Sequence, residues 1–251
     1  MTKDLRKRVV IENVKPEIDC GSFPIKRVAG EKVVVGADVF CDGHDTVSAS
    51  LLYRAQNVKD WSEISMTFLE NDRWMGEFLV EKIGTYYYTL EGWVDYFKTW
   101  QKDFKKKFEA GYDIRVELLI GANLVDDSLA IASGKDRRRL KELGNILKGN
   151  NLEEAISIAV CDELTELMKK NPNKKSATRY EKELSVVVDW PKALFSTWYE
   201  RFPRSFSSLP GKQGSFKDLG RLLPEIARIG FDVLYLPPLE MRRLYRITMK
   251  S

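Results

Sequence analysis

Histidine is almost missing from this sequence, His44 being the single imidazole in 251 residues. A catalytic or metal-binding role would need partners that its neighbours do not supply, so His44 reads as a turn residue between two strands. Cysteine is scarce as well: Cys20, Cys41 and Cys161 are odd in number, widely spaced and without a CxxC pair. That pattern indicates neither a disulfide framework nor a zinc site, and the three read as reduced thiols. Long hydrophobic runs are lacking. The longest apolar stretches, such as Phe231 to Leu239, fall far short of the roughly 20 residues that cross a bilayer. The N-terminus carries no apolar signal-peptide core, so a cytoplasmic location is expected. Neither sign of charge dominates, since 41 basic and 37 acidic residues mix along the chain to give +4. That balance argues against a nucleic-acid module.

What is present is an ordinary core-forming composition, 43% hydrophobic and 31% charged, enough for one large domain or two smaller ones. From Val9 to Asp95 the chain reads as short strands separated by turn clusters. Alternation is clearest over Glu31 to Phe40, where Val33, Val35, Ala37 and Val39 share a face, and it recurs at Val47, Ala49, Leu51 and Tyr53. Trp74, Gly76, Phe78 and Val80 form a third run and Tyr86, Tyr88, Leu90 and Gly92 a fourth, set apart by Cys41-Asp42-Gly43-His44-Asp45 and Glu70-Asn71-Asp72. Strands at this spacing predict a β-sandwich of immunoglobulin-like type.

Near Phe97 the period changes to about 3.6. Trp100 to Ala110 opens a helical region, and Leu152 to Lys169 reads as one amphipathic helix with Asn151 and Glu154 as N-cap and return partner. A polar break at Asn171-Pro172-Asn173-Lys174-Lys175 ends it, and Leu184, Val186 and Val188 restore strand character. The helices therefore read as an insertion, with this last strand completing the sandwich. After Pro191 come an apolar run from Ala193 to Phe202, a helix from Phe216 to Ile229 capped by Ser215 with Asp218 and ended by Gly230, and a buried strand from Phe231 to Leu236. That is a βαβ unit of a parallel sheet.

Several segments carry a family resemblance. Arg8-Val9-Val10-Ile11-Glu12-Asn13-Val14, Phe23-Pro24-Ile25-Lys26-Arg27, Asp42-Gly43-His44-Asp45, Asn71-Asp72-Arg73-Trp74 and Gly92-Trp93-Val94-Asp95 are followed in order by Trp198-Tyr199-Glu200-Arg201-Phe202-Pro203-Arg204-Ser205 and Phe231-Asp232-Val233-Leu234-Tyr235-Leu236-Pro237-Pro238. Together they resemble the N-terminal part of the maltose-1-phosphate-dependent α-1,4-glucan maltosyltransferases of the α-amylase clan. The resemblance implies a cytosolic, typically homodimeric enzyme that moves maltosyl units from maltose 1-phosphate to the non-reducing end of an α-1,4-glucan and releases phosphate. It also implies three regions. Residues 1-105 form an immunoglobulin-like sandwich completed by 176-192, residues 106-175 an α-helical insertion, and residues 193-251 the incomplete βαβ start of a (β/α)8 barrel.

Retaining chemistry of this kind needs a nucleophilic carboxylate and an acid/base carboxylate about 5 Å apart at the C-terminal ends of barrel strands. In the clan they lie on the fourth and fifth strands. The carboxylates of the barrel portion here are Glu200, Asp218, Glu225, Asp232 and Glu240, and none matches the family's nucleophile or acid. After Pro238 the sequence Leu239-Glu240-Met241-Arg242-Arg243-Leu244-Tyr245-Arg246 departs from the family's sugar-phosphate loop, as a frameshift or early stop would. The expectation is a chain inactive alone, with no catalytic, cofactor-binding or metal-ligating residue assigned and no cofactor. Residues from about 206 onward are expected to pack poorly, or to dock on the sandwich or a second chain. The alternative is a non-catalytic α-glucan-binding or dimerisation module.

Other candidates read as structural. Trp74, Tyr86, Tyr88 and Trp93 could stack on sugar rings, but strand aromatics at period two usually fill a core. Lys102 to Lys107 and Arg137 to Arg139 read as solvated helix faces. Glu200 and Arg204 stand where a first barrel strand would open toward an active site, and here read as salt-bridge or solvent residues.

Overall fold

A computed structural model describes residues 7–207 and 211–237, and the chain divides into two compact units, Met1–Val188 and Asp189–Ser251. Pro238, Leu239 and the tail with Glu240 lie outside the described residues.

The first unit opens with β1 (Val9–Lys15), β2 (Ile25–Val28), β3 (Glu31–Cys41), β4 (Val47–Ala55), β5 (Ser62–Ser65), β6 (Thr67–Phe68), β7 (Arg73–Val80) and β8 (Gly84–Val94). Five helices follow: α1 (Tyr96–Glu109), α2 (Arg115–Leu129), α3 (Gly134–Leu147), α4 (Leu152–Ala159) and α5 (Asp162–Lys170). Two strands, β9 (Thr178–Arg179) and β10 (Leu184–Asp189), end this part. One sheet has the order β1-β3-β7-β6, the other β2-β10-β8-β4-β5 with β9 alongside β8. A strand alternates sides at every residue. Val33, Val35, Ala37 and Val39 of β3 therefore meet Leu51, Tyr88, Leu90 and Val186 of the other sheet in one core. β10 returns after the helices to pair antiparallel with β8, setting Leu184 opposite Tyr88 and Val186 opposite Tyr86.

β4 and β8 depart from simple alternation. Ser48, Ser50, Thr89 and Trp93, on their outer face, are buried too. Helices and ion pairs cover that face: Ser48 Oγ donates to Asp95 at 2.8 Å and Ser50 Oγ to Glu63 at 2.6 Å. Asp95 also caps α1, accepting from the Lys98 amide at 3.0 Å. Within the helical layer the rings of Phe97, Trp100 and Phe104 follow one another at 5.3 and 5.4 Å and form, with Leu118, Leu140 and Leu164, a second core.

The segment from Leu152 to Lys169, a single helix by its periodicity, is two helices. Val160 ends α4, and Cys161 adopts an extended backbone (φ −74°, ψ 148°), its sulfur accepting from the Leu164 amide as the cap of α5. A residue that caps a new helix cannot continue the old one, and apolar periodicity does not register a one-residue break.

The second unit contains β11 (Trp198–Glu200), α6 (Phe216–Ile229) and β12 (Val233–Tyr235). β11 and β12 pair parallel. Ser215 and Asp218 form a reciprocal capping box, and Gly230 closes α6 at φ 103°, the left-handed conformation that glycine adopts freely. Only Leu219 and Ile226 of the helix's apolar face are buried, while Phe216, Leu223 and Ile229 are exposed.

Candidate functional site

A cleft of about 820 Å³ opens in the first unit between the β3–β4 turn, the β6–β7 hairpin and the lysines of α1 and α5. Each wall has a local cause. On the turn side, Arg8 clamps the loop: Nε meets Asp42 at 2.8 Å, Nη1 meets Asp45 at 2.7 Å, and Nη2 donates to the Asp42 carbonyl at 2.9 Å. These bonds, to Asp42 first and then Asp45, raise the basicity of Arg8, and they leave Asp45 committed while His44 stands exposed at the rim. Burial pushes the Cys41 thiol up, so it stays protonated and unreactive.

The hairpin side comes from a tight turn. Asn71 and Asp72 take φ 48° and 62°, and the Arg73 amide donates to the Glu70 carbonyl at 2.8 Å, as a primed hairpin turn requires. The turn sets Phe68 directly across from Trp74. Trp74 is 8% exposed and Phe68 52%. Their rings meet edge to face at 5.4 Å, and the Trp74 indole N–H donates to the Val39 carbonyl at 3.0 Å. Phe40 and Met66 add to this apolar wall. The Asp72 carboxylate is exposed and has no hydrogen-bond partner among the described residues.

Lys98, Lys102 and Lys169 line the third wall. Lys98 Nζ donates to Ser48 Oγ at 2.7 Å and lies 3.5 Å from Asp95. Lys169 lies 3.8 Å from Glu166. Lys102, one turn along α1 from Lys98, has no ion-pair partner among the described residues. The cleft thus offers exposed aromatic surface, hydroxyls of Thr46 and Thr67, and donors and acceptors whose charges largely cancel.

The residues singled out by sequence fall differently. Trp74, Tyr86, Tyr88 and Trp93 are all buried, and the Tyr88 hydroxyl donates to the Pro16 carbonyl. Of the basic runs, Lys107 turns to Glu117 at 2.5 Å and Arg139 binds Glu163 at 2.7 Å, whereas Lys102 turns to the cleft. Phe68 escaped sequence reading because only the β6–β7 register places it beside Trp74. In the second unit Glu200 and Arg204 are exposed and no ion pair joins them. Asp218 is held in its capping box. Asp232 is pushed down to about 2 by Lys192 and by the amide and hydroxyl of Thr197. Among the described residues no group of three His, Cys, Asp or Glu could hold a metal ion, and no helix is long and apolar enough to cross a membrane.

Residues 7–190 match the family model for domain N/S of alpha-1,4-glucan:maltose-1-phosphate maltosyltransferase. A maltosyltransferase of that name from Chlorobaculum tepidum is 48% identical over 236 residues, covering 94% of this chain and 35% of the relative. Its counterpart from Methylacidiphilum infernorum is 44% identical over 238 residues, with the same two shares of 94% and 35%. The Myxococcus xanthus protein is 41% identical over 239 residues, covering 92% and 36%. The chain therefore spans about a third of the length of these relatives. With most of its length inside that match, the chain belongs to the alpha-1,4-glucan:maltose-1-phosphate maltosyltransferase family, through domain N/S.

Proposed function

We propose that the chain is the N-terminal part of a glycosyltransferase that transfers maltosyl units from maltose 1-phosphate to an α-1,4-glucan in glycogen-like synthesis, and that it performs no transfer alone. The match of residues 7–190 to domain N/S carries this reading. In it the two-sheet layer is an immunoglobulin-like sandwich (1-105 with 176-192), the helices of 106-175 an insertion, and 193-251 the opening of a (β/α)8 barrel. The return of β10 onto β8 and the parallel β11–β12 pair linked by α6 support that division. The enzyme would be cytoplasmic and homodimeric.

Among the described residues every carboxylate with a displaced pKa is displaced downward: Glu17, Asp38, Glu63, Glu163, Asp218 and Asp232. Each is engaged by a hydrogen bond or a cation.

A chimera tests the reading. This chain replaces the matching segment of the Chlorobaculum tepidum relative, and phosphate release from maltose 1-phosphate is followed with glycogen as acceptor. The chimera should release phosphate and the isolated chain should not. Turnover by the isolated chain, or a folded but inactive chimera, would refute it.

A further inference from the structure

The geometry points to a second groove, on the outer face of the sheet that holds β1, β3 and β7, as a binding site for an organic anion whose charged head is joined to an apolar body. The groove has a volume of about 360 Å³, at the lower end of small-ligand sites, roughly 300–1,000 Å³. It lies where Lys15, Gly36 and Met75 stand side by side on the three strands.

Its charge has one sign. Lys15, Arg27 and Arg73 line it, and among the described residues no carboxylate does. The acids beside it are already engaged: Asp38 accepts from Arg73 at 2.8 Å and from Asn13 at 2.6 Å, and Glu17 accepts from Lys182 at 2.7 Å. Lys15 and Arg27 have no carboxylate within hydrogen-bond distance among the described residues, and Arg27 gives only Nη1, to the Lys26 carbonyl at 2.7 Å. Gly36 lets the Arg73 side chain lie across the sheet, since a Cβ there would come within 2.8 Å of Nη2. Asp38 and the Asn13 carbonyl hold Nη1 of Arg73, which leaves Nε and Nη2 to donate. A guanidinium with two open N–H groups matches the paired oxygens of a carboxylate or phosphate.

The floor is apolar. Val34, Leu69 and Met75 are each close to half exposed, so a hydrocarbon body set on them would leave water together with theirs. A sugar body is disfavoured there, because its hydroxyls would be desolvated against side chains that cannot hydrogen-bond. The site is therefore separate from the donor sugar of the transferase reading and does not rest on that reading.

The test follows the Val34, Gly36 and Met75 amides of the full chain by NMR during titration. Phenyl phosphate and 3-phenylpropanoate carry the two heads, inorganic phosphate is a head alone, 3-phenylpropanol a body alone, and maltose 1-phosphate a head on a hydroxylic body. Phenyl phosphate or 3-phenylpropanoate should bind at least about fivefold more tightly than each of the other three, and the tighter of the two identifies the head. Arg27→Gln and Lys15→Gln should each weaken that binding about two- to fivefold, as expected for one exposed ion pair, and added salt should weaken it in the parent. Lys32→Gln, on the same sheet but paired with Glu77 outside the groove, should leave it unchanged. Amides that do not shift with either aryl anion, equal binding of inorganic phosphate, 3-phenylpropanol or maltose 1-phosphate, or full binding by both groove variants would overturn the proposal.

Discussion

Gly121→Ala separates helix propensity from packing. In an exposed helix interior, alanine is favoured over glycine by about 1 kcal/mol. At Gly121 the added Cβ would lie 2.1 Å from Cζ2 of Trp100 and 2.5 Å from Cε2 and Cη2, separations that carbon atoms do not tolerate. The indole cannot simply swing away. It is 5% exposed, sits between Phe97 and Phe104, and its N–H donates to the Glu117 carbonyl at 2.8 Å. Overpacking costs about 1–3 kcal/mol, and losing the indole hydrogen bond about 0.5–1.5 kcal/mol. After the propensity gain is subtracted, the net loss is about 0.5–3.5 kcal/mol. Gly220 in α6 is the control, because a Cβ there meets nothing within 4 Å, and Gly220→Ala should stabilise the second unit by up to about 1 kcal/mol. Native-state hydrogen exchange reads each unit separately. Gly121→Ala should speed exchange of the Leu118, Ala122 and Val125 amides, and Gly220→Ala should slow that of Ile226. A Gly121→Ala chain exchanging as slowly as the parent would refute the close-contact argument.

Two further changes probe charge. Lys174 Nζ meets Glu63 at 2.5 Å and Glu91 at 3.1 Å and lies 4.4 Å from the Trp93 ring centre, tying the segment after α5 to the outer face of the sheet. Lys174→Met should cost about 1–2 kcal/mol at low salt and less in concentrated salt, as urea denaturation would show; an unchanged midpoint would refute the tie. Burial alone would raise the Glu63 pKa, but the bonds from Lys174 and Ser50 outweigh it and hold Glu63 below its usual value. That contribution is therefore present above the ordinary carboxylate range and is lost on acidification. Asp232, at about 2, behaves in the same sense: it supports the second unit above the unfolded aspartate value near 3.9 and ceases to do so as the pH falls through about 2. Carboxyl-carbon NMR should find it titrating near there, and a midpoint near 4 would show that Lys192 and Thr197 do not hold it.

The strands were legible because a half-buried strand writes its two faces into alternate residues, as in Val33, Val35, Ala37 and Val39. The cap and stop of α6 were legible at Ser215, Asp218 and Gly230, since capping is a contact between residues a few positions apart. Family membership followed from ordered local segments in the same way. The break between α4 and α5 was not legible, because it depends on the backbone of one residue, Cys161, inside an uninterrupted apolar rhythm. Nor was the cleft. Phe68 meets Trp74 only through strand register, and Lys102 and Lys107 occupy one charged run, yet Lys107 meets Glu117 while Lys102 lines the cleft.

The sequence by itself determined the two sheets' alternating faces, the helical excursion, the βαβ unit and the family, since each is carried by local periodicity or ordered motifs. Tertiary structure alone decided that Phe68 stands half exposed beside the buried Trp74 and which charged residues line the cleft. Those outcomes depend on residues such as Asp45, Phe68 and Lys169, which line one cleft although far apart in the chain and are brought together only by packing.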